Sequence, residues 1–261
     1  MRRIAFVNEK GGTCKTTLCV NTAAWLALTR GQRVLVADLD TQGHAGKALG
    51  LDVRRLSPTV RDVLLDPSLP LAAAVRPTAV PGLEVLPANK ELATFPVDIA
   101  SAPDRADRLR ERLDAIPGGS WDAVLIDAPP SVSIVTENVL RAATEVVVPV
   151  ALTYLALDGC AEILESLERL RRDVGRAPAL TAVVPVLYRK TQLAEEILAK
   201  LRERFPDQLL RTVLGLSVKI DEAQSHGLTI FEYAPRSRAA EALAAIAREI
   251  WERPAAISRG P

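Results

Sequence analysis

The sequence is short of several features that would assign it at once. Its three cysteines, at positions 14, 19 and 160, have no paired metal spacing. That argues against a cysteine-built metal site and suits a reducing cytoplasm. An excess of charge is missing too: 33 basic residues face 32 acidic ones. There is no global basic field, so contact with nucleic acid must come from a local patch. No apolar run approaches the roughly 20 residues that a membrane span needs. Met1-Arg2-Arg3 leads directly into a short apolar strand, which is no secretory signal. No internal repeat, low-complexity segment or linker divides the 261 residues. The expectation is one domain over 1–254, with a disordered tail over 255–261.

What is present is a set of strand-end motifs. Residues 10 to 17 read Lys-Gly-Gly-Thr-Cys-Lys-Thr-Thr, after the apolar stretch Ile4–Val7 and before a helical pattern that runs from Leu18 to about Thr29 and stops at Gly31. A strand, a glycine turn and a helix N-terminus in that order build a phosphate site. Backbone N–H groups converge there, the helix start adds partial positive charge, and Lys15 adds a full one. Thr16 is placed to offer its hydroxyl to Mg²⁺. Two more strands end in acids: Val34 to Leu39 closes on Asp38 and Asp40, and Ala123–Ile126 closes on Asp127. Strands this uniformly apolar are buried on both faces, as in parallel sheets. The carboxyl ends of such strands are where open α/β sheets bind ligands.

Further along, strands are expected at 83–86, 123–126, 145–150 and 180–187. Helices are expected at 104–115, 134–142, 158–173, 191–205 and 237–253, and the proline-rich stretch 51–82 reads as irregular. This alternation implies right-handed βαβ units. The fold class is α/β, a single doubly wound, mainly parallel sheet flanked by helices.

The loop departs from the common pattern G-x-x-x-x-G-K-[ST], having Glu9 and Cys14 where that pattern has glycines. It fits the deviant form K-G-G-x-G-K-T-T at every position but Cys14. In this it resembles the ParA/MinD family of dimeric P-loop ATPases. Asp127-Ala128-Pro129-Pro130-Ser131 with Thr136, Asn138 and Leu140 is similar to that family's second acidic motif. So is the next stretch, Val146–Val150 followed by Tyr154, Ala156, Leu157, Asp158 and Gly159. Glu222-Ala223-Gln224-Ser225-His226-Gly227 and the segment Tyr233 to Arg238 resemble the E-A-P-S-H-G and Y-x-P-x-S-x signatures of ParA-type proteins. Because the chain starts at the first strand, it resembles the short form without an N-terminal helix-turn-helix.

The resemblance implies an Mg²⁺-dependent ATPase of low intrinsic rate. Gly11, Gly12, Thr13, Cys14, Lys15, Thr16 and Thr17 would surround the phosphates of ATP. Thr16 and Asp127 would hold Mg²⁺, Asp38 would support the metal's shell, and Asp40 would position the attacking water. Lys10 would reach across a nucleotide-sandwich homodimer to the partner's ATP. The implied DNA contacts, to double-stranded DNA without sequence preference, are Arg189, Lys190, Lys219, Arg236 and Arg238. A partner protein with a short basic segment would stimulate hydrolysis, and the protein would be cytoplasmic and nucleoid-associated, with no membrane partner. The cargo would be a chromosome, a plasmid or a protein cluster. Two alternatives stand beside this: a nucleotide-dependent switch with little turnover, and a MinD-like membrane-associated ATPase, which would need a basic amphipathic C-terminal helix.

Several departures from the family pattern matter. Cys14 is either a tolerated small side chain, a reactive low-pKa thiol at a helix start, or an obstacle to ATP. Thr41 and His44 replace proline and asparagine after Asp40, and Ala128 replaces threonine. Tyr188 replaces an aspartate near the base pocket that the resemblance implies, where it either stacks on the base or packs in the core. Leu216 replaces an arginine before Lys219.

Overall fold

The computed structural model describes residues 1–153 and 156–253, with backbone alone for 156–160. From the N-terminus, β1 (Arg2–Phe6) leads through the glycine loop to α1 (Lys15–Arg30), then to β2 (Val34–Asp38) and the short α2 (His44–Ala48). The proline-rich stretch holds α3 (Val60–Leu65), α4 (Leu71–Ala74) and β3 (Arg76–Pro77), short pieces that no periodicity marks. Next come β4 (Leu83–Leu86), α5 (Phe95–Asp98), α6 (Arg108–Asp114), β5 (Ala123–Asp127), α7 (Ile134–Ala142) and β6 (Glu145–Ala151). The chain continues with α8 (Ala156–Val174), β7 (Ala179–Tyr188), α9 (Gln192–Arg204), β8 (Leu214–Gly215), α10 (Val218–Ser225), α11 (Ile230–Tyr233) and α12 (Arg238–Glu252).

The strands form one sheet in the order β3-β4-β2-β5-β1-β6-β7-β8. Every pairing is parallel except β3 with β4. Period-two alternation sorts the strand residues between two cores. Ile4, Phe6, Val34 and Val36 face α1 and α12, while Ala5, Val7, Leu35 and Ala37 face the side packed by α7 and α9. Helices thus cover both faces, as the doubly wound reading requires.

Local chemistry explains most helix limits. Ser133, Thr191, Thr229 and Ser237 cap α7, α9, α11 and α12 by accepting N–H bonds from the residue three positions on. Gly31 ends α1 in the left-handed conformation, as expected. Two limits differ from the sequence reading by three residues or more. α1 starts at Lys15 rather than Leu18, because the helix begins inside the glycine loop. α6 starts at Arg108 rather than Asp104, because residues 104–107 close a turn, with Asp107 N–H donating to Asp104 O at 2.9 Å. The segment between α9 and α12 carries no alternation to read, and it holds β8, α10 and α11. The apolar face of α12, including Leu243, Ile246 and Ile250, is buried in the core that α1 shares. Tyr154, the side chains of the Ala156–Gly159 match and of Cys160, and the tail 255–261 lie outside the described residues.

Candidate nucleotide site

The sheet topology brings the site together. In β1 and β5 the register places Phe6 beside Asp127, and in β2 and β5 it places Asp38 beside Asp127. The carboxyl ends of these strands therefore converge where the loop from Asn8 to Cys14 turns into α1. Asn8 anchors that loop: its side-chain amide donates to Pro149 O at 2.7 Å, and its carbonyl oxygen accepts from Lys10 N–H at 2.9 Å. The loop is then gathered on a single carbonyl. Lys10 O accepts from both Thr13 Oγ1 and Lys15 Nζ, each at 3.1 Å. The Lys15 ammonium is thereby held over the loop. Burial pulls its pKa below the usual lysine range, against the opposing pull of Asp127 and Asp40.

Above the loop opens a cavity of about 1060 Å³, lined by residues 11–17, the Asp40–Gln42 turn, His44, Pro129–Ser131, Leu187 and Gln224, among others. Thr16 Oγ1 reaches from its floor to Asp127 Oδ2 at 2.6 Å. Asp127 is 1% exposed, and its Oδ1 is buried with no hydrogen-bond partner among the described residues. A carboxylate oxygen left in that state is costly unless a cation or water meets it. Burial, with the Asp40 charge adding to it, pushes the Asp127 carboxyl up to about 7, although the Thr16 hydroxyl and Lys15 pull the other way. A hydroxyl and an orphaned carboxylate oxygen are the hard oxygen donors that Mg²⁺ takes. The residues present fit that ion.

Asp38 is placed differently from the sequence expectation. It is fully buried, and it accepts N–H bonds from Asp40 at 3.0 Å, Ala45 at 3.0 Å and Gly46 at 3.2 Å. Its carboxylate faces the turn after β2 and the start of α2, not the cavity. Burial, with the neighbouring Asp127 charge next, raises its pKa well above the carboxylate range. Asp40 does border the cavity, and its own Oδ1 accepts from Gln42 N–H at 3.0 Å. His44 is exposed and opens α2.

Cys14 occupies the left-handed region, φ 59° and ψ 24°, which explains why glycine is usual there. Its thiol is not activated. Burial, with Asp221 adding to it, pushes its pKa up to about 11 in spite of Lys15. The low-pKa reading of the sequence is thus overturned by desolvation. Tyr188 resolves to packing: its ring rests on the core, and its hydroxyl donates to Glu195 Oε1 at 2.6 Å. The residue that faces the cavity instead is Leu187, with φ 56°, at a register shift between β7 and β8. The sequence carries no signal for that turned-out leucine.

The five basic candidates are all exposed. Arg189 and Lys190 follow the end of β7. Lys219 lies in the first turn of α10, just past the edge strand β8, and its Nζ is bonded to Glu222 at 2.7 Å and sits 5.7 Å from the Tyr233 ring. Arg236 and Arg238 follow α11 within a few residues of Tyr233.

A glycine loop opening a helix at the carboxyl edge of a parallel sheet, with an acid held beneath it, defines a P-loop nucleotide-binding protein. Comparison with known proteins narrows the class. The AAA_31 family model, described as an AAA domain, matches residues 1–179. Chromosome-partitioning ATPase Soj of Thermus thermophilus is 41% identical over 254 residues, covering 97% of this chain and 96% of its own. Chromosome partitioning protein ParA of Caulobacter vibrioides is 34% identical over 255 residues, covering 97% and 95%. Among solved structures, cobyrinic acid a,c-diamide synthase of Mycobacterium smegmatis, with bound ADP and magnesium, superposes with a TM-score of 0.81 at 29% identity, over 95% of this chain and 92% of that one. The chain belongs to the ParA/Soj family of partition ATPases.

Proposed function

We propose that this protein is an Mg²⁺-dependent ATPase that forms a homodimer when ATP is bound, associates with DNA in that state, and so moves a cargo. The observation that carries the reading is the Thr16–Asp127 pair, with its unpartnered buried oxygen, under a phosphate-sized loop that already holds a lysine ammonium. Gly11, Gly12, Thr13, Cys14, Thr16 and Thr17 cradle the phosphates of ATP, and Lys15 exchanges its bond to Lys10 O for phosphate oxygens. Thr16 and Asp127 hold Mg²⁺. That ion, when bound, neutralises charge developing on the β- and γ-phosphates. Asp40 positions the attacking water. Asp38 holds the backbone of the Asp40 turn rather than the metal. Lys10 acts on the nucleotide of the partner protomer.

Arg189, Lys190, Lys219, Arg236 and Arg238 form the DNA-contacting edge, doubled by dimerisation. Leu216 and Val218, 50% and 69% exposed, sit among them and thin the charge. The protein is read as cytoplasmic and nucleoid-associated, and a partner with a short basic segment stimulates its turnover. The relatives' names point to a chromosome as cargo. The test is retention on DNA with ATP, ADP or no nucleotide, over a salt series, for native protein and Arg189→Glu. Expected is ATP-dependent retention, lost in the variant and falling with salt at a slope of about 0.9 per neutralised phosphate. Retention that ignores nucleotide, or that Arg189→Glu leaves intact, would overturn the DNA-contacting edge.

A further inference from the structure

Thr17 follows the metal-facing Thr16 in the first turn of α1, and its side chain is 8% exposed. Its hydroxyl accepts a hydrogen bond from Gln224 Nε2 at 2.8 Å. A hydroxyl has one hydrogen to give and two lone pairs. With Gln224 on a lone pair, the Thr17 hydrogen is directed elsewhere, and it meets no protein acceptor among the described residues. Thr17 and Gln224 both line the large cavity. That hydrogen is therefore available to an acceptor in the cavity that both residues line.

The helix that carries Gln224 is seated without this bond. Asn21, one turn further along α1, donates to Thr17 O at 2.8 Å and accepts from Ile230 N–H at 2.9 Å. Gly227, just past α10, packs directly on Gly50. Ile220 and Ala223 bury the inner face of α10. The amide of Gln224 is therefore not needed to dock the helix and is available for another role. The similar E-A-P-S-H-G signature has proline at this position, which carries no amide side chain.

We propose that Gln224 is a positioning residue for nucleotide binding, one that fixes the Thr17 hydroxyl as a donor to a phosphate oxygen of the bound nucleotide. The inference rests on the ATP-site reading above. It is tested by titrating ATP with Mg²⁺ calorimetrically into native protein, Gln224→Ala, Gln224→Glu, and Gln224→Ala in Thr17→Val and Thr17→Ser backgrounds. Loss of one such bond weakens ATP about three- to tenfold in Gln224→Ala. Gln224→Glu is weaker still, because a carboxylate only accepts and takes the Thr17 hydrogen for itself. The Gln224→Ala loss persists beside Thr17→Ser and vanishes beside Thr17→Val, since coupled residues are not additive.

Native-like affinity in Gln224→Ala would overturn the proposal. So would an equal loss in the Thr17→Val background, which would mean that the amide acts by seating α10. If Thr17→Val binds too weakly to titrate, the order of Glu and Ala at 224 decides alone: Glu no weaker than Ala overturns it. Native protein that fails to bind ATP at all would instead sink the nucleotide-site reading itself.

Discussion

Gly227 gives a sharp test of how the α10–α11 corner is locked to the C-terminal end of α2. Its φ is +66°, and a Cβ added there would lie 2.7 Å from Gly50 Cα, 3.1 Å from Gly50 N and 3.3 Å from Lys47 O. All three atoms are backbone, so no side chain can rotate away. Gly50 is itself at φ +84°, with Gly227 O 3.2 Å from its own missing Cβ. Gly227→Ala therefore meets two costs. The left-handed backbone costs an L-residue about 1 kcal/mol. Forcing the two segments apart costs about 2 kcal/mol, the middle of the range for overpacking. The sum is about 3 kcal/mol, and for a chain of this size each kcal/mol moves Tm by roughly 2–4 °C. Scanning calorimetry of nucleotide-free protein should show Tm lowered by about 6–12 °C. Gly118→Ala is the control. Nothing lies within 4 Å of its missing Cβ and its φ is not positive, so its Tm should stay within about 1 °C of the parent. Gly227→Ala melting with the control would refute the backbone contact.

Three further expectations follow from single sites. Cys14→Gly should stabilise the nucleotide-free protein by about 0.5–1 kcal/mol by relieving the left-handed strain, while Cys14→Ala should not; equal denaturant midpoints for the two variants would contradict that. Arg2 forms a bidentate pair at 2.7 and 2.6 Å with Glu145, whose side chain is fully buried and also accepts from Thr181. Arg2→Ala should then cost about 3 kcal/mol in urea unfolding, because it strands a buried charge; a loss below about 1 kcal/mol would contradict that. Stability without nucleotide should decline as pH rises from the ordinary carboxylate range toward about 7. Across that window folded Asp127 keeps a proton that the unfolded chain has lost, and Asp38 acts in the same direction. Asp127→Asn should flatten the decline in Tm, and an unchanged slope in that variant would place the titration elsewhere.

The site was legible wherever its chemistry depends on local order along the chain. Lys15, Thr16 and the glycines are set by the strand–loop–helix passage, and Asp127 by the end of an apolar strand. Their meeting follows from the parallel topology that such strands impose. The sheet and most helices were legible for the same reason. What was hidden depends on contacts between distant segments. Asp38 and Asp40 end the same apolar strand, and only the fold shows that Asp38 accepts backbone N–H bonds from α2 while Asp40 borders the cavity. Leu187 is turned out by a register shift between strands, which leaves no mark on hydrophobic pattern. A helix start and Lys15 both favour a reactive Cys14 thiol, but desolvation and Asp221 outweigh them. Gly227 and Gly50 require glycine because they touch each other, and neither flanking sequence shows it.

The most direct test of the account is calorimetric titration of ATP, with and without Mg²⁺, into native protein, Lys15→Ala and Asp127→Asn. The account expects native binding that strengthens with Mg²⁺, no binding by Lys15→Ala, and binding by Asp127→Asn that no longer responds to the ion. Near-native affinity in Lys15→Ala, or an undiminished Mg²⁺ response in Asp127→Asn, would contradict the assignment of this cavity as the nucleotide site.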